Sequence, residues 1–139
     1  MKKSRILYFL FAAIFVAIAF ACEPDEPEDE NPSDERLKFS GSWLCTESTQ
    51  MSYTVNINID SSNTTQIKLY NFHHLGFEEM VFGIVNGNTV TLPNQTACQG
   101  TVTIEGTSNM QANQNNIDFY YTVNDGVNLD TISAVYTKQ

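Results

Sequence analysis

The chain has 139 residues, 42% of them hydrophobic and 12% aromatic, with 7 Lys and Arg set against 16 Asp and Glu. Three of the bases, Lys2, Lys3 and Arg5, precede every acid, so the sequence from residue 22 onward holds four bases and sixteen acids, a net charge of −12. Such a balance argues against nucleic acid as a partner, because phosphate binding needs a basic surface, and the length allows one small domain.

Lys2, Lys3 and Arg5 lead into an apolar run from Ile6 to Ala21. A charged start followed by a short greasy segment is what export machinery reads. The run falls short of the roughly 20 residues that a helix needs to cross a bilayer core. Residues 1–21 are therefore expected to be a signal peptide. Cys22 follows directly, and Ala19-Phe20-Ala21 before it also suits an ordinary signal peptidase. The order resembles a bacterial lipoprotein signal, in which the cysteine after the cut becomes the acylated N-terminal residue; Phe20 departs from the small residue usual there. This resemblance implies a membrane anchor on Cys22, with palmitate-type acyl chains.

Glu23 to Glu35 holds eight acids, three prolines and no apolar side chain. Residues 22–36 are expected to form an extended, disordered tether, since such a stretch has nothing to bury and its charges repel. Acids close behind the lipidated cysteine resemble the signal that carries lipoproteins of Bacteroidota-type bacteria to the cell surface. An outer-membrane location facing the exterior is what that resemblance implies.

Residues 37–139 have β texture throughout. Tyr53, Val55, Ile57 and Ile59 alternate with polar residues, which places them on one face. Ile67/Leu69, Met80/Phe82/Ile84, Val90/Leu92, Val102/Ile104, Ile117/Phe119/Tyr121/Val123 and Ile132/Ala134/Tyr136 repeat the pattern between clusters of Asn, Gly, Ser and Asp. Asn86-Gly87 suits the positive φ angles of a two-residue hairpin turn, and Asn124-Asp-Gly126 reads similarly. About eight sequential strands form an antiparallel up-and-down meander, which is expected to close into a small barrel because closure removes exposed edges.

Gly41-Ser42-Trp43 stands at the start of the first strand, after Leu37-Lys-Phe39. A Gly-x-Trp motif here, the meander behind it and the ending Ala134 to Lys138 resemble the lipocalin-like domains of small Bacteroidota lipoproteins. The resemblance implies that Trp43 plugs one end of the barrel and that the interior holds a small apolar or glycan ligand. Two features depart from lipocalins: no arginine stands late in the chain to pack over the tryptophan, Lys138 being the only late base, and the body is about a third shorter.

Cys45 and Cys98 are an even pair once Cys22 is set aside, and an oxidising compartment favours a bridge between them. The alternative is a buried free thiol at Cys45 and an exposed one at Cys98. His73-His74, with Glu78 and Glu79 nearby, is expected to be a solvated turn, because adjacent strand residues point to opposite faces and cannot share one metal. Asp125 to Asp130 lacks the closing glutamate of a calcium loop and reads as a hairpin turn. No nucleotide, cofactor or metal motif and no nucleophile elbow is present, so neither a cofactor nor catalysis is expected. Asp130-Thr131-Ile132 resembles a bacterial O-glycosylation site.

Two functional classes stay open: a binding module for a small ligand, and a lipid-anchored accessory protein that contacts another envelope protein with its core simply filled. If the period-two faces point inward, Tyr53, Phe82, Phe119 and Tyr121 compete for the lumen. A ligand site is then shallow, lies opposite Trp43, is lined by these residues, and requires a polar partner for any buried tyrosine hydroxyl.

Overall fold

A computed structural model describes residues 33–139. The expected signal peptide, Cys22 and most of the acidic segment lie outside the described residues. Strands β1 (Gly41–Glu47), β2 (Ser52–Ile59), β3 (Gln66–Tyr70), β4 (Met80–Asn86), β5 (Thr89–Ala97), β6 (Val102–Met110), β7 (Asn116–Asn124) and β8 (Leu129–Lys138) form one closed antiparallel barrel in sequence order. β8 returns to pair with β1, aligning Trp43 with Lys138 and Cys45 with Tyr136. No strand edge is left open, as the meander predicted.

The alternation of apolar residues sorts inside from outside on most strands. Val55, Ile57, Ile67, Leu69, Val90, Leu92, Ile117, Phe119, Tyr121, Ile132, Ala134 and Tyr136 all point inward and are buried. β4 differs from the sequence expectation by one residue. Val81, Gly83 and Val85 face the core, while Met80, Phe82 and Ile84 lie on the outer wall. Every residue from Met80 to Val85 is apolar or glycine, so period two marks no face, and side-chain size decides instead. The interior already holds several aromatics, and only the smaller set fits. A Cβ added at Gly83 would come within 2.4 Å of Val90 Cγ1, which shows how little room that wall leaves.

β5 carries a bulge between Leu92 and Gln95, at Pro93 and Asn94. Proline has no N–H to give a ladder, and a bulge is where a sheet tolerates it. Gln95 then replaces the missing β4–β5 pairing. Its Oε1 accepts from Phe82 N at 2.9 Å, and its Nε2 donates to Phe82 O at 2.8 Å. The β4–β5 hairpin turns at Gly87-Asn88, one residue later than expected, and Gly87 takes the positive φ of 55°.

One end of the barrel is closed by Trp43, which is fully buried and donates from Nε1 to Phe39 O at 2.7 Å. Lys138 Nζ sits 5.4 Å from the Trp43 ring centroid, so a lysine supplies the cation over this ring despite the missing arginine. The ordered body begins earlier than residue 37. Asp34 caps the 3-10 turn Glu35–Phe39 by accepting from Arg36 N at 3.0 Å. Arg36 Nη1 in turn donates to the carbonyls of Asp60, Asn63 and Gln66 in the β2–β3 connection. Arg36 thus belongs to the domain, where its guanidinium adds a second donor to three carbonyls that already accept N–H groups of the same turn, from Asn63, Gln66 and Asp60 respectively.

Candidate functional site

The end opposite Trp43 is built around a carboxylate. Trp43, Cys45 and Glu47 are alternate residues of β1 and so point the same way, into the barrel. The Glu47 side chain is 1% exposed. The tight β1–β2 hairpin keeps it there, with Glu47 N donating to Met51 O at 2.9 Å and Gln50 N donating back to Glu47 O at 2.9 Å. Four side chains close on the carboxylate. Tyr53 and Tyr121 donate their hydroxyls, the latter at 2.7 Å; His73 Nδ1 lies 2.9 Å from Oε1, and Thr49 Oγ1 donates to Oε2 at 3.0 Å.

Burial alone would push the Glu47 carboxyl up, yet the hydrogen bonds from Tyr53 and Tyr121 and the His73 ring hold it below its ordinary value. The same arrangement keeps the phenols neutral: burial and the adjacent Glu47 push the Tyr53 and Tyr121 hydroxyls far above their ordinary values. Burial also pushes the Cys45 thiol up to about 11, against the lowering pull of the Tyr53 hydroxyl. Tyr136 is fully buried, and its hydroxyl has no oxygen or nitrogen partner.

The β3–β4 connection covers this end. β3 stops at Tyr70 because Asn71 takes a left-handed φ of 60°, which folds the chain back over the barrel mouth. Phe72 enters the lumen, its ring centroid 4.6 Å from Tyr121 and 6.0 Å from Phe119. His73 follows onto Glu47, while His74 stays exposed, 5.4 Å from the Tyr53 ring. The pair lies in a turn, as expected, with His74 solvated, but His73 is directed inward onto Glu47 and not into solvent. Both residues have positive φ, 50° and 57°, so the alternation rule for adjacent strand residues does not apply to them.

Of the four expected lining residues, the structure brings Tyr53, Phe119 and Tyr121 together at this end and leaves Phe82 on the outer wall. The polar partner that the buried tyrosines require is Glu47. Sequence reasoning passed over it, although its spacing from Trp43 and Cys45 marks it as inward. The expected Cys45–Cys98 bridge is not formed. Cys45 is a buried free thiol inside the barrel, and Cys98 is a half-buried one in the β5–β6 connection, its N–H donating to Glu79 Oε2 at 2.8 Å. Asp125 serves its hairpin, accepting from the N–H groups of Val127 and Asn128 at 2.9 and 2.7 Å. Among the described residues no group of three or more His, Cys, Asp or Glu is placed to hold a metal. Thr131 is exposed on β8.

No family model and no curated protein matches the chain. Among solved structures, one described as a redesigned β-barrel is similar in fold, with a TM-score of 0.51 at 10% identity over 76% of this chain and 96% of that one.

Proposed function

We propose that this chain is a lipid-anchored envelope lipoprotein, held at the outer membrane through Cys22 and facing the exterior, whose barrel works as a non-enzymatic interaction module and not as a carrier of apolar ligands. One observation carries the choice between module and carrier. The barrel is stopped by Trp43 at one end and by Phe72 at the other, with Phe119, Tyr121 and Tyr136 packed between them. Recognition of a protein partner is then left to the outer wall and the loops.

The loop end suits an envelope protein partner. Met51, Phe77 and Val127 stand exposed there on three separate loops, among the acids Glu78, Asp125 and Asp130. The bases Lys38 and Lys138 instead lie at the Trp43 end, where Lys38 bonds Asn88 and Lys138 covers Trp43. An acidic, apolar-tipped rim favours a basic protein surface. The anchor reading is supported by the order of Lys2, Lys3 and Arg5, the Ile6–Ala21 run and Cys22. Multiple acyl chains on one cysteine hold a protein firmly, where a single chain of myristoyl length does not.

Fractionation of cells expressing Cys22→Ser tests the anchor. The variant is expected as a soluble folded body, and retention in the membrane fraction contradicts the reading. External protease that removes the native domain from intact cells supports the surface location; full protection until lysis opposes it.

A further inference from the structure

The segment that closes the barrel mouth places two chemically different groups side by side. Phe72 lays its ring 4.6 Å from that of Tyr121, and the next residue sets His73 Nδ1 2.9 Å from the buried Glu47 carboxylate. An aromatic ring on an aromatic wall, joined by a short link to a nitrogen base on a carboxylate, is the chemical outline of a small arylalkyl amine.

Two further features set this mouth apart from an ordinary filled core. The covering segment is clasped at its base, where Asn71 N donates to Gly76 O at 3.2 Å, Gly76 N donates to Asn71 Oδ1 at 2.9 Å, and Asn71 Nδ2 donates to Thr54 O at 2.8 Å. Between these fixed points, His73 and His74 hold left-handed φ angles of 50° and 57°, a conformation that costs non-glycine residues free energy. Asn71 at the base is left-handed too, but three hydrogen bonds hold it, whereas the tip carries both left-handed histidines on the two turn bonds His74 N to Asn71 O at 3.3 Å and Leu75 N to Phe72 O at 3.1 Å. The fully buried Tyr136 hydroxyl, near Tyr121 and Glu47, faces only the Cys45 thiol, a weak partner. A buried hydroxyl with so weak a partner is costly unless something else satisfies it.

We infer that the Glu47 end of the barrel is a binding seat for a small arylalkyl amine in its ammonium form, held in this structure by the chain's own Phe72 and His73, and that the Phe72–Leu75 tip swings out as the amine enters. The ammonium takes the place of His73 on Glu47, and the aryl group takes the place of Phe72 against Tyr121 and Phe119. Tyr53 and Tyr121 keep their bonds to the carboxylate throughout. A neutral apolar ligand does not make this exchange, because it displaces His73 and gives the buried carboxylate nothing in return. The aryl contacts nearly match those lost by Phe72, so the net gain rests on the full ammonium charge placed on Glu47 and on release of the two left-handed histidines. After the association cost the affinity is weak, about 1 mM.

Phenethylamine titrated into the purified protein and followed by amide NMR tests the seat, with phenethyl alcohol as the neutral analogue. Saturable shifts are expected at Glu47 and across Asn71–Gly76, with the alcohol at least about tenfold weaker. His73→Ala frees the carboxylate while leaving the wall intact, and is expected to bind the amine about tenfold more tightly. Glu47→Gln, checked for folding by circular dichroism, removes the preference for the amine. The inference is overturned by any of three results: no saturable shift in the native protein at 10 mM amine, an alcohol response equal to that of the amine, or no tightening in His73→Ala.

Discussion

Glu47 is the residue on which this end of the molecule depends. It accepts from two buried phenols through the same oxygen, and its replacement by glutamine leaves both without a charged acceptor. Glu47→Gln is expected to lower stability by on the order of 2 kcal/mol, read as a fall in Tm of about 10 °C. Its folded-state carboxyl is held below the ordinary value, so its contribution is present above the unfolded value of 4.5 and is lost as pH falls through the lower folded one. Asp60, held down to about 2 by the Ser62 hydroxyl and N–H, adds to the same acid loss. The difference in Tm between native protein and Glu47→Gln therefore shrinks as pH drops below about 4.5; a difference that stays constant down to pH 2 contradicts the assignment. Glu47 was legible in the sequence as an inward position, but not as a hydrogen-bonding centre. Its partners Tyr53, Tyr121 and His73 are separated from it by 6, 74 and 26 residues. The β1–β2 hairpin supplies the first, but barrel closure is needed to bring Tyr121 and the left-handed β3–β4 turn to bring His73.

Among the elements, β4 shows where pattern reading stops. On β2 and β7 polar residues alternate with apolar ones, and the buried face follows directly; on β4 both faces are apolar and the lumen selects the smaller side chains. Gly83→Ala is expected to destabilise the barrel by about 1–3 kcal/mol, because the new methyl meets Val90. Phe82→Ala on the outer wall should cost about 1 kcal/mol or less, far below the roughly 3–5 kcal/mol of a core phenylalanine. Urea unfolding of the two variants checks the register; a larger loss for Phe82→Ala would return Phe82 to the interior. Phe72 belongs to the same lesson from the other side. Its strand-like neighbours gave no sign that Asn71 turns the chain through a left-handed angle and sends Phe72 into the lumen.

At the scale of the whole molecule, barrel closure followed from the meander, and the closed end at Trp43 was what the resemblance carried by Gly41-Ser42-Trp43 implied. The state of the cysteines did not follow, because a bridge depends on side-chain direction and compartment chemistry gives no information about that. Cys45 points into the lumen, so with Cys22→Ser the folded protein should expose one thiol, Cys98, to a water-soluble thiol reagent and release Cys45 only in denaturant. Intact mass of the unreduced protein after alkylation counts them, and a protein that takes no label in denaturant until it is reduced contradicts the free thiols. The central claim is that the chain fills its own barrel from Trp43 to Phe72, and titration with a fluorescent apolar probe measures this most directly. The account predicts no saturable submicromolar binding to the native protein. Saturable submicromolar binding that disappears in Phe119→Asp would show an open lumen and contradict it.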